Sequence, residues 1–156
     1  MKLAIISDIH GNLPALEAVI NDIENNNCDQ IISLGDVAGY YCFINECIEI
    51  LDKRRIINIM GNHDFYILNG VCCPRSHSAN KCLDFQRKEI TEASINWLNK
   101  SISYFNNKEL SMVHGGWNNL LDEYIYEIDS NYFRDKSQKY FFSGHTHIQV
   151  INKLID

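Results

Sequence analysis

The sequence has no run of about 18 apolar residues, so we expect no membrane-spanning helix in it. Its 14 Lys and Arg residues against 20 Asp and Glu residues argue against long nucleic acid or a membrane surface as a partner, since both require basic patches. The six cysteines form no Cys-x-x-Cys pair, which argues against a structural zinc site. We expect reduced thiols that mostly pack as small apolar groups, and a redox role stays open for vicinal Cys72 and Cys73.

The sequence also has few features that would divide it. It contains two prolines, no Pro- or Ser-rich linker and no internal repeat, so we expect a single domain over residues 1–156. The chain reaches the polar Asp8 too soon after Met1 for a signal peptide, which predicts a cytoplasmic protein.

Short apolar runs alternate with amphipathic segments over the first sixty residues. The pattern predicts strands at 2–7, 30–34 and 55–60, a helix from Pro14 to about Asn26, and a second helix over 44–53. This alternation is typical of an α/β domain with a parallel sheet. Farther along, we predict a helix over 89–98 with Ile90, Ala93, Trp97 and Leu98 as its apolar face. We also predict strands at 110–113, 124–128, 140–142 and 148–155.

Five of the six histidines belong to short polar motifs, most of which directly follow a predicted strand. The motifs are Asp8-Ile9-His10, Gly35-Asp36, Gly61-Asn62-His63-Asp64, His114-Gly115 and Gly144-His145-Thr146-His147. Each of the first four has an ordinary structural explanation when taken alone, such as a turn or a helix cap. In an extended segment, Asp8 and His10 would point the same way and could grip one ion.

Taken together, the motifs favour a metal site. In proteins with a parallel sheet, small molecules and ions bind beyond the carboxyl ends of the strands. Asp8, Asp36 and Asn62 lie at such ends of the predicted strands. Carboxylate, amide and imidazole groups suit Mn²⁺, Fe, Ni²⁺, Co²⁺ or Zn²⁺, whereas a thiolate site would use the cysteines.

In these five motifs the chain resembles the calcineurin-like metallophosphoesterases, and within that superfamily it is similar to the small bacterial and archaeal phosphodiesterases. The resemblance covers nearly the whole chain, from DIHGNLPALEAV at 8–19 and GDVAGY at 35–40 to GHTH at 144–147. It implies a four-layer α/β/β/α fold, in which a two-sheet β-sandwich is flanked by helices.

The resemblance also implies two adjacent divalent ions, with Mn²⁺ favoured and Ni, Co, Fe or Zn as alternatives. The first ion would be held by Asp8, His10, Asp36 and His147. The second would be held by Asp36, Asn62, His114 and His145, with Asp36 bridging.

The implied activity is hydrolysis of a small or short phosphodiester, by in-line attack of a metal-bridging hydroxide. His63 would protonate the leaving oxygen and Asp64 would orient it, although a turn-capping role for Asp64 is an alternative. Two other functions stay open: a phosphomonoesterase or phosphoprotein phosphatase, and a non-catalytic protein-interaction scaffold.

Departures from the relatives bear on the substrate. Protein phosphatases carry an arginine shortly after Gly-Asp, whereas here Val37 to Tyr40 contain none. Arg75 and His77 are candidates for reading a substrate phosphate, with a solvated loop as the alternative. Relatives usually continue past Gly-His-Thr-His, and the apolar residues after His147 suggest an unpaired edge and a homodimer as a hypothesis.

Overall fold

The first half of the chain builds a parallel sheet, seen here in a computed structural model that describes residues 1–154. Its strands are β1 (Leu3–Ile6), β2 (Gln30–Ser33) and β3 (Ile57–Asn58), in the order β1-β2-β3. Leu3 pairs with Gln30 and Ile32 with Ile57, both in parallel register. The predicted strands 2–7 and 30–34 are confirmed, whereas 55–60 shortens to two residues; Arg55, with a positive φ of 52°, lies in the turn before the strand.

Two helices connect these strands. Helix α1 (Leu13–Asn25) begins where the Asn12 side chain accepts the amide of Ala15 at 3.3 Å, and Pro14 fits its first turn because that position needs no amide donor. Helix α2 (Ile44–Lys53) has the predicted bounds, and its stripe of Ile44, Cys47, Ile48 and Leu51 is buried. The apolar periodicity is therefore realised as packing against the sheet.

Three further helices follow: α3 (Asn62–Asn69), α4 (His77–Glu89) and α5 (Glu92–Leu98). The sequence did not predict α3 or α4, since α4 carries few apolar residues and buries mainly Ala79, Leu83 and Gln86. The helix predicted over 89–98 is wrong at its start, because Ile90 is extended and the Thr91 side chain caps α5 at the amide of Ser94. Ala93, expected in the core, is exposed.

A second sheet comes from the latter half of the chain. It contains β4 (Phe105–Asn106), β5 (Leu110–Met112) and β6 (Tyr140–Phe142), with β4 antiparallel and β6 parallel to β5. The predicted strands 110–113 and 140–142 are confirmed to within one residue. The prediction for 124–128 is wrong, since these residues form irregular structure, and so is the prediction for 148–154; Ile155 lies outside the described residues.

The two sheets face each other across an apolar layer, which confirms the two-sheet α/β architecture. Successive β1 side chains separate to opposite faces: Leu3 and Ile5 join the layer between the sheets, and Ala4 and Ile6 join the layer under the helices. Over the outer face of the second sheet, Phe133 of a short 3-10 helix (Ser130–Phe133) stacks on Phe141 with ring centroids 4.0 Å apart.

The cysteines contribute to this core unequally. All six are unpaired; Cys47 and Cys73 are buried, while Cys42 and Cys72 are exposed. Burial as small apolar groups is thus confirmed for two of them. Within residues 1–154, no helix is long and apolar enough to span a bilayer.

Candidate metal centre

One group of ligand-type side chains lies where β1 and β6 end. The ligand atoms of Asp8, His10 and His147 all lie within 4.8 Å of one another. The Nε2 atom of His147 is 3.0 Å from Nε2 of His10 and 3.2 Å from Oδ1 of Asp8. Burial raises the pKa of Asp8, but its hydrogen bond with His147 and the other nearby positive charge outweigh this and hold the pKa below its usual value.

A second group lies beside the first and comes from the loops after β2, β5 and β6. Asp36, His114 and His145 again place their ligand atoms within 4.8 Å of one another, and all three side chains are buried. Asn62, at the start of α3, brings its Oδ1 atom within 2.9 Å of His114 Nε2. The Nε2 atom of His145 is buried and finds no hydrogen-bond partner among the residues that the structure describes, which is costly unless a ligand satisfies it.

Asp36 lies between the two groups. Its Oδ2 atom is 3.7 Å from Nε2 of His10 and 3.4 Å from Nε2 of His114. The other carboxylate oxygen accepts the backbone amide of His63 at 2.8 Å, which fixes the carboxylate at the N-terminus of α3. Burial would raise the pKa of Asp36, but the neighbouring His114 outweighs it and the pKa lies well below its usual range.

Backbone carbonyls set the orientation of two of the imidazoles. Nδ1 of His10 lies 2.6 Å from the Ala38 carbonyl oxygen, and Nδ1 of His114 lies 2.9 Å from that of Leu34. Each Nδ1–H therefore donates to a carbonyl, which leaves the Nε2 lone pair for an ion. Burial lowers the pKa of His114, but the Asp36 carboxylate more than compensates and raises it to about 9, so in the protein alone a proton stands where an ion would bind.

The backbone at these residues is left-handed, which corrects the extended geometry expected for Asp8 and His10. Among the described residues, eight other than glycine have positive φ, and five of them are candidate ligands. These five are Asp8, His10, Asp36, His145 and His147, with φ between 52° and 68°. The ligands therefore converge through sharp turns at the strand ends and not through the two-residue repeat of a strand.

His63 follows Asn62 and lies at the wall of this site. Its side chain is 4% exposed, its ring lies 5.0 Å from that of His10, and its Nδ1 atom has no hydrogen-bond partner among the described residues. Burial lowers the pKa of His63 to about 4, so the imidazole is neutral in the free protein at pH 7.

Asp64 makes different contacts from those expected of a group that orients His63. Its carboxylate accepts the amide of Ala38 at 2.9 Å and the amide of Gly61 at 3.2 Å. The geometry thus favours the turn-capping alternative, in which Asp64 ties the loop after β2 to the start of α3. Burial raises its pKa to about 6.

Gln86 is a residue that sequence reasoning missed. It is fully buried, and its side-chain amide binds the amide and the carbonyl of Gly39 and the carbonyl of Tyr41. Gly39 in turn contacts the rings of His10 and His63, so α4 holds the loop that backs both histidines. The sequence offers no signal for it, because no helix was predicted over 77–89 and a glutamine there has the appearance of a surface residue.

The mouth of the site is a cleft of about 140 Å³. Its lining includes Tyr40, His63, Arg75 and Tyr124. Arg75 is therefore placed at the site, whereas His77 is exposed at the start of α4 and is not part of the lining.

Two facing sheets, with carboxylate and imidazole groups in the loops that follow the strands, define the class of α/β domains that assemble a metal centre at strand ends. The chain belongs to the calcineurin-like phosphoesterase superfamily, since the family's domain model matches residues 1–154. This confirms the resemblance inferred from the five motifs. The superfamily uses pairs of divalent ions, and the two ligand groups are candidates for such a pair.

Individual proteins are similar to this chain over most of its length. A protein of Methanocaldococcus jannaschii whose function is uncharacterised is 31% identical over 96% of this chain and 64% of its own length. A metallophosphoesterase from Sphaerobacter thermophilus is 30% identical and superposes with a TM-score of 0.81, over 95% of this chain and 61% of the other. A hypothetical protein of Pyrococcus horikoshii shares the fold, with a TM-score of 0.66 at 18% identity, 85% coverage of this chain and 62% of its own. The chain thus spans less than two thirds of each relative.

Proposed function

We propose that this chain is a dinuclear metal-dependent phosphoesterase that hydrolyses a small phosphodiester. The observation that carries the proposal is the position of Asp36, whose Oδ2 atom lies within 3.7 Å of one ligand group and within 3.4 Å of the other. A carboxylate shared in this way suits two neighbouring cations, because it offsets part of their mutual repulsion.

The side chains present fit two divalent ions. Two ligand atoms at about 2.1 Å from one ion are separated by roughly 3.0–3.5 Å, and the contacts of 3.0 Å (His10 to His147), 3.2 Å (Asp8 to His147) and 3.4 Å (Asp36 to His114) fall in that interval. Oxygen and nitrogen ligands make Mn²⁺ our proposed ion. When bound, such a pair activates water and stabilises negative charge at phosphorus.

His63 is the group we assign to the leaving oxygen. It lines the cleft without belonging to either ligand group. The neutral imidazole of the free protein gains a proton more readily when an anionic substrate lies against it, because an opposite charge raises its pKa. His63 would then donate that proton to an alkoxide as the ester bond breaks.

The volume of the cleft and the residues after Asp36 favour a small phosphodiester as the substrate over a phosphoprotein. Its volume of about 140 Å³ is below that of a drug-sized ligand pocket, so a small phosphoester fits it better than a folded protein surface. Residues 37–40, which directly follow the shared Asp36, contain no arginine of the kind that protein phosphatases carry there. A phosphomonoesterase stays the alternative activity.

The test compares bis-nitrophenyl phosphate with mono-nitrophenyl phosphate, using metal-stripped protein titrated with Mn²⁺, Ni²⁺, Co²⁺, Zn²⁺ and Mg²⁺. We expect rescue by a transition metal and a higher kcat/KM on the diester. Asp36→Asn should remove activity on both substrates, because it weakens the link between the two ligand groups. As a control, Asp52→Asn, an exposed change at the end of α2, should leave both activities intact.

Each result bears on a different part of the proposal. A higher kcat/KM on the monoester would replace the diesterase by a monoesterase. Two ions bound in calorimetry without turnover of either ester would favour the non-catalytic scaffold. Near-normal turnover by Asp36→Asn would contradict the shared-carboxylate arrangement.

A further inference from the structure

Arg75 is a cation in the cleft that the proposed hydrolysis does not use. Of the eleven described residues that line the cleft, it is the one Lys or Arg side chain, and it shares the lining with His63, His145 and His147. A fixed positive charge beside a pair of divalent ions is electrostatically unfavourable unless an anion lies close to it. The chain itself supplies an anion in the form of Asp122.

The guanidinium is held on two sides. Both of its Nη atoms bind the carboxylate of Asp122, with Nη1 to Oδ2 at 2.9 Å. Its carbon atom Cζ lies 5.1 Å from the centroid of the Tyr124 ring, and that ring packs on the His145 ring at 4.1 Å. Asp122 Oδ1 is also 3.6 Å from Nε2 of His145. Arg75 is thus positioned relative to the metal centre through Tyr124 and Asp122.

This arrangement is open to a ligand. The side chains of Arg75 and Asp122 are 39% and 30% exposed, so water or a ligand reaches the pair. A guanidinium has five N–H donors, and the two contacts to Asp122 leave others free for phosphate oxygens. Both residues come from loops, since Arg75 precedes α4 and Asp122 lies in the turn after Gly115.

We infer that Arg75 recognises a second anionic group of the substrate, a phosphate next to the scissile one, and that Asp122 occupies this guanidinium when the cleft holds no substrate. The inference rests on the proposed function and narrows its substrate class to phosphoesters with two phosphate groups. The scissile phosphate belongs to the two ligand groups, and Arg75 is a member of neither.

A binding measurement tests this with two probes that differ by one phosphate: thymidine 5′-phosphate and thymidine 3′,5′-bisphosphate. Dissociation constants are measured by calorimetry on the Mn²⁺-loaded protein. A charge-assisted contact of this kind changes an equilibrium about 10- to 100-fold, so we expect the wild type to prefer the bisphosphate by that factor. Arg75→Gln should reduce the preference to less than about threefold while leaving the affinity for the monophosphate unchanged.

Two further variants separate recognition from loop anchoring. Arg75→Lys keeps the charge but loses the planar fork, so it should retain part of the preference. Asp122→Asn frees the guanidinium and should keep or increase the preference for the bisphosphate. If Asp122→Asn and Arg75→Gln instead lose affinity equally for both probes, the ion pair only anchors the two loops and the inference is wrong.

The matched control is Arg54→Gln. Arg54 pairs with Glu24 at 2.7 Å on the face formed by α1 and α2, away from the cleft. The Arg54→Gln substitution should therefore change neither dissociation constant. Because the readout is binding, it is separate from turnover. If the protein hydrolyses no ester but prefers the bisphosphate through Arg75, the proposed function is wrong and the second phosphate site is retained. If the protein hydrolyses esters but wild type and Arg75→Gln bind both probes with equal affinity, only the second phosphate site is wrong.

Discussion

Gly39 leaves no room for a side chain behind the proposed proton donor, and Gly39→Ala tests whether this close approach positions His63. A Cβ atom at Gly39 would lie 2.5 Å from Nδ1 of His63 and 3.0 Å from Nδ1 of His10. Non-bonded atoms prefer about 3.5 Å, so the His63 ring would have to retreat by roughly 1 Å. The backbone φ of +97° also disfavours any residue with a side chain.

The expected magnitude follows from these two effects. A strained backbone conformation costs about 1–3 kcal/mol. Overpacking against two rings costs about 1–3 kcal/mol more. Since 1 kcal/mol lowers the Tm of a domain of this size by about 2–4 °C, we expect Gly39→Ala to melt roughly 5–20 °C lower. Misplacing a catalytic group by about 1 Å can cost about 100-fold in rate, which sets the expected loss of kcat on alkyl esters.

Gly70→Ala is the matched control. Gly70 ends α3 with φ +65°, and within the described part of the chain a Cβ atom there would have no non-neighbouring atom within 4 Å. It should cost only the backbone strain, about 1 kcal/mol, and leave turnover unchanged. Circular dichroism melts and steady-state kinetics on both variants provide the comparison. Normal turnover by Gly39→Ala, or equal Tm losses for the two variants, would refute the tight contact.

Three further predictions concern the site and the core. His63→Ala should reduce kcat on esters with alkoxide leaving groups by about 10²–10⁴-fold. The loss on nitrophenyl esters should be far smaller, because nitrophenolate needs little protonation. Equal losses of kcat on both kinds of ester in steady-state assays would count against His63 as a general acid. Mn²⁺ at 100 times its Kd should stabilise the protein by about 2.7 kcal/mol, seen as a higher Tm in a melt, and Asp36→Asn should abolish most of that gain. Burial raises the pKa of the Cys47 thiol to about 12. Iodoacetamide at pH 8 should therefore label exposed Cys72 in the folded protein and Cys47 only after unfolding, which peptide mass spectrometry would detect.

The sequence predicts the parts of the fold that a strong local pattern specifies. Helix α2 matched its apolar stripe residue for residue, and the first two strands ended shortly before Asp8 and Gly35 interrupt an apolar run. Helix α4 was missed because its exposed face is strongly polar and one of its buried positions is Gln86. A glutamine whose side chain hydrogen-bonds to the backbone of a neighbouring loop looks like a surface residue when only the sequence is known.

For the candidate site, the sequence supplied the ligand types but not their geometry. The motifs pointed to Asp36 and His145, yet nothing in them indicated the left-handed backbone at either residue. Arg75 stood out only as a cation in an irregular segment. Its contacts with Asp122 and Tyr124 join segments 47 residues or more apart, and such contacts arise from tertiary packing that no local pattern records.

The left-handed backbone of the five candidate ligands has a consequence for laboratory evolution. Each such conformation costs about 1 kcal/mol or more in the free protein, and a bound ion would offset that cost. Selection for heat resistance with a chelator present, and with no demand for activity, should therefore favour glycine or asparagine at positions such as Asp8 and His147. The positions that change first would outline the binding site without any assay of turnover, and repeating the selection with Mn²⁺ present should protect those same positions.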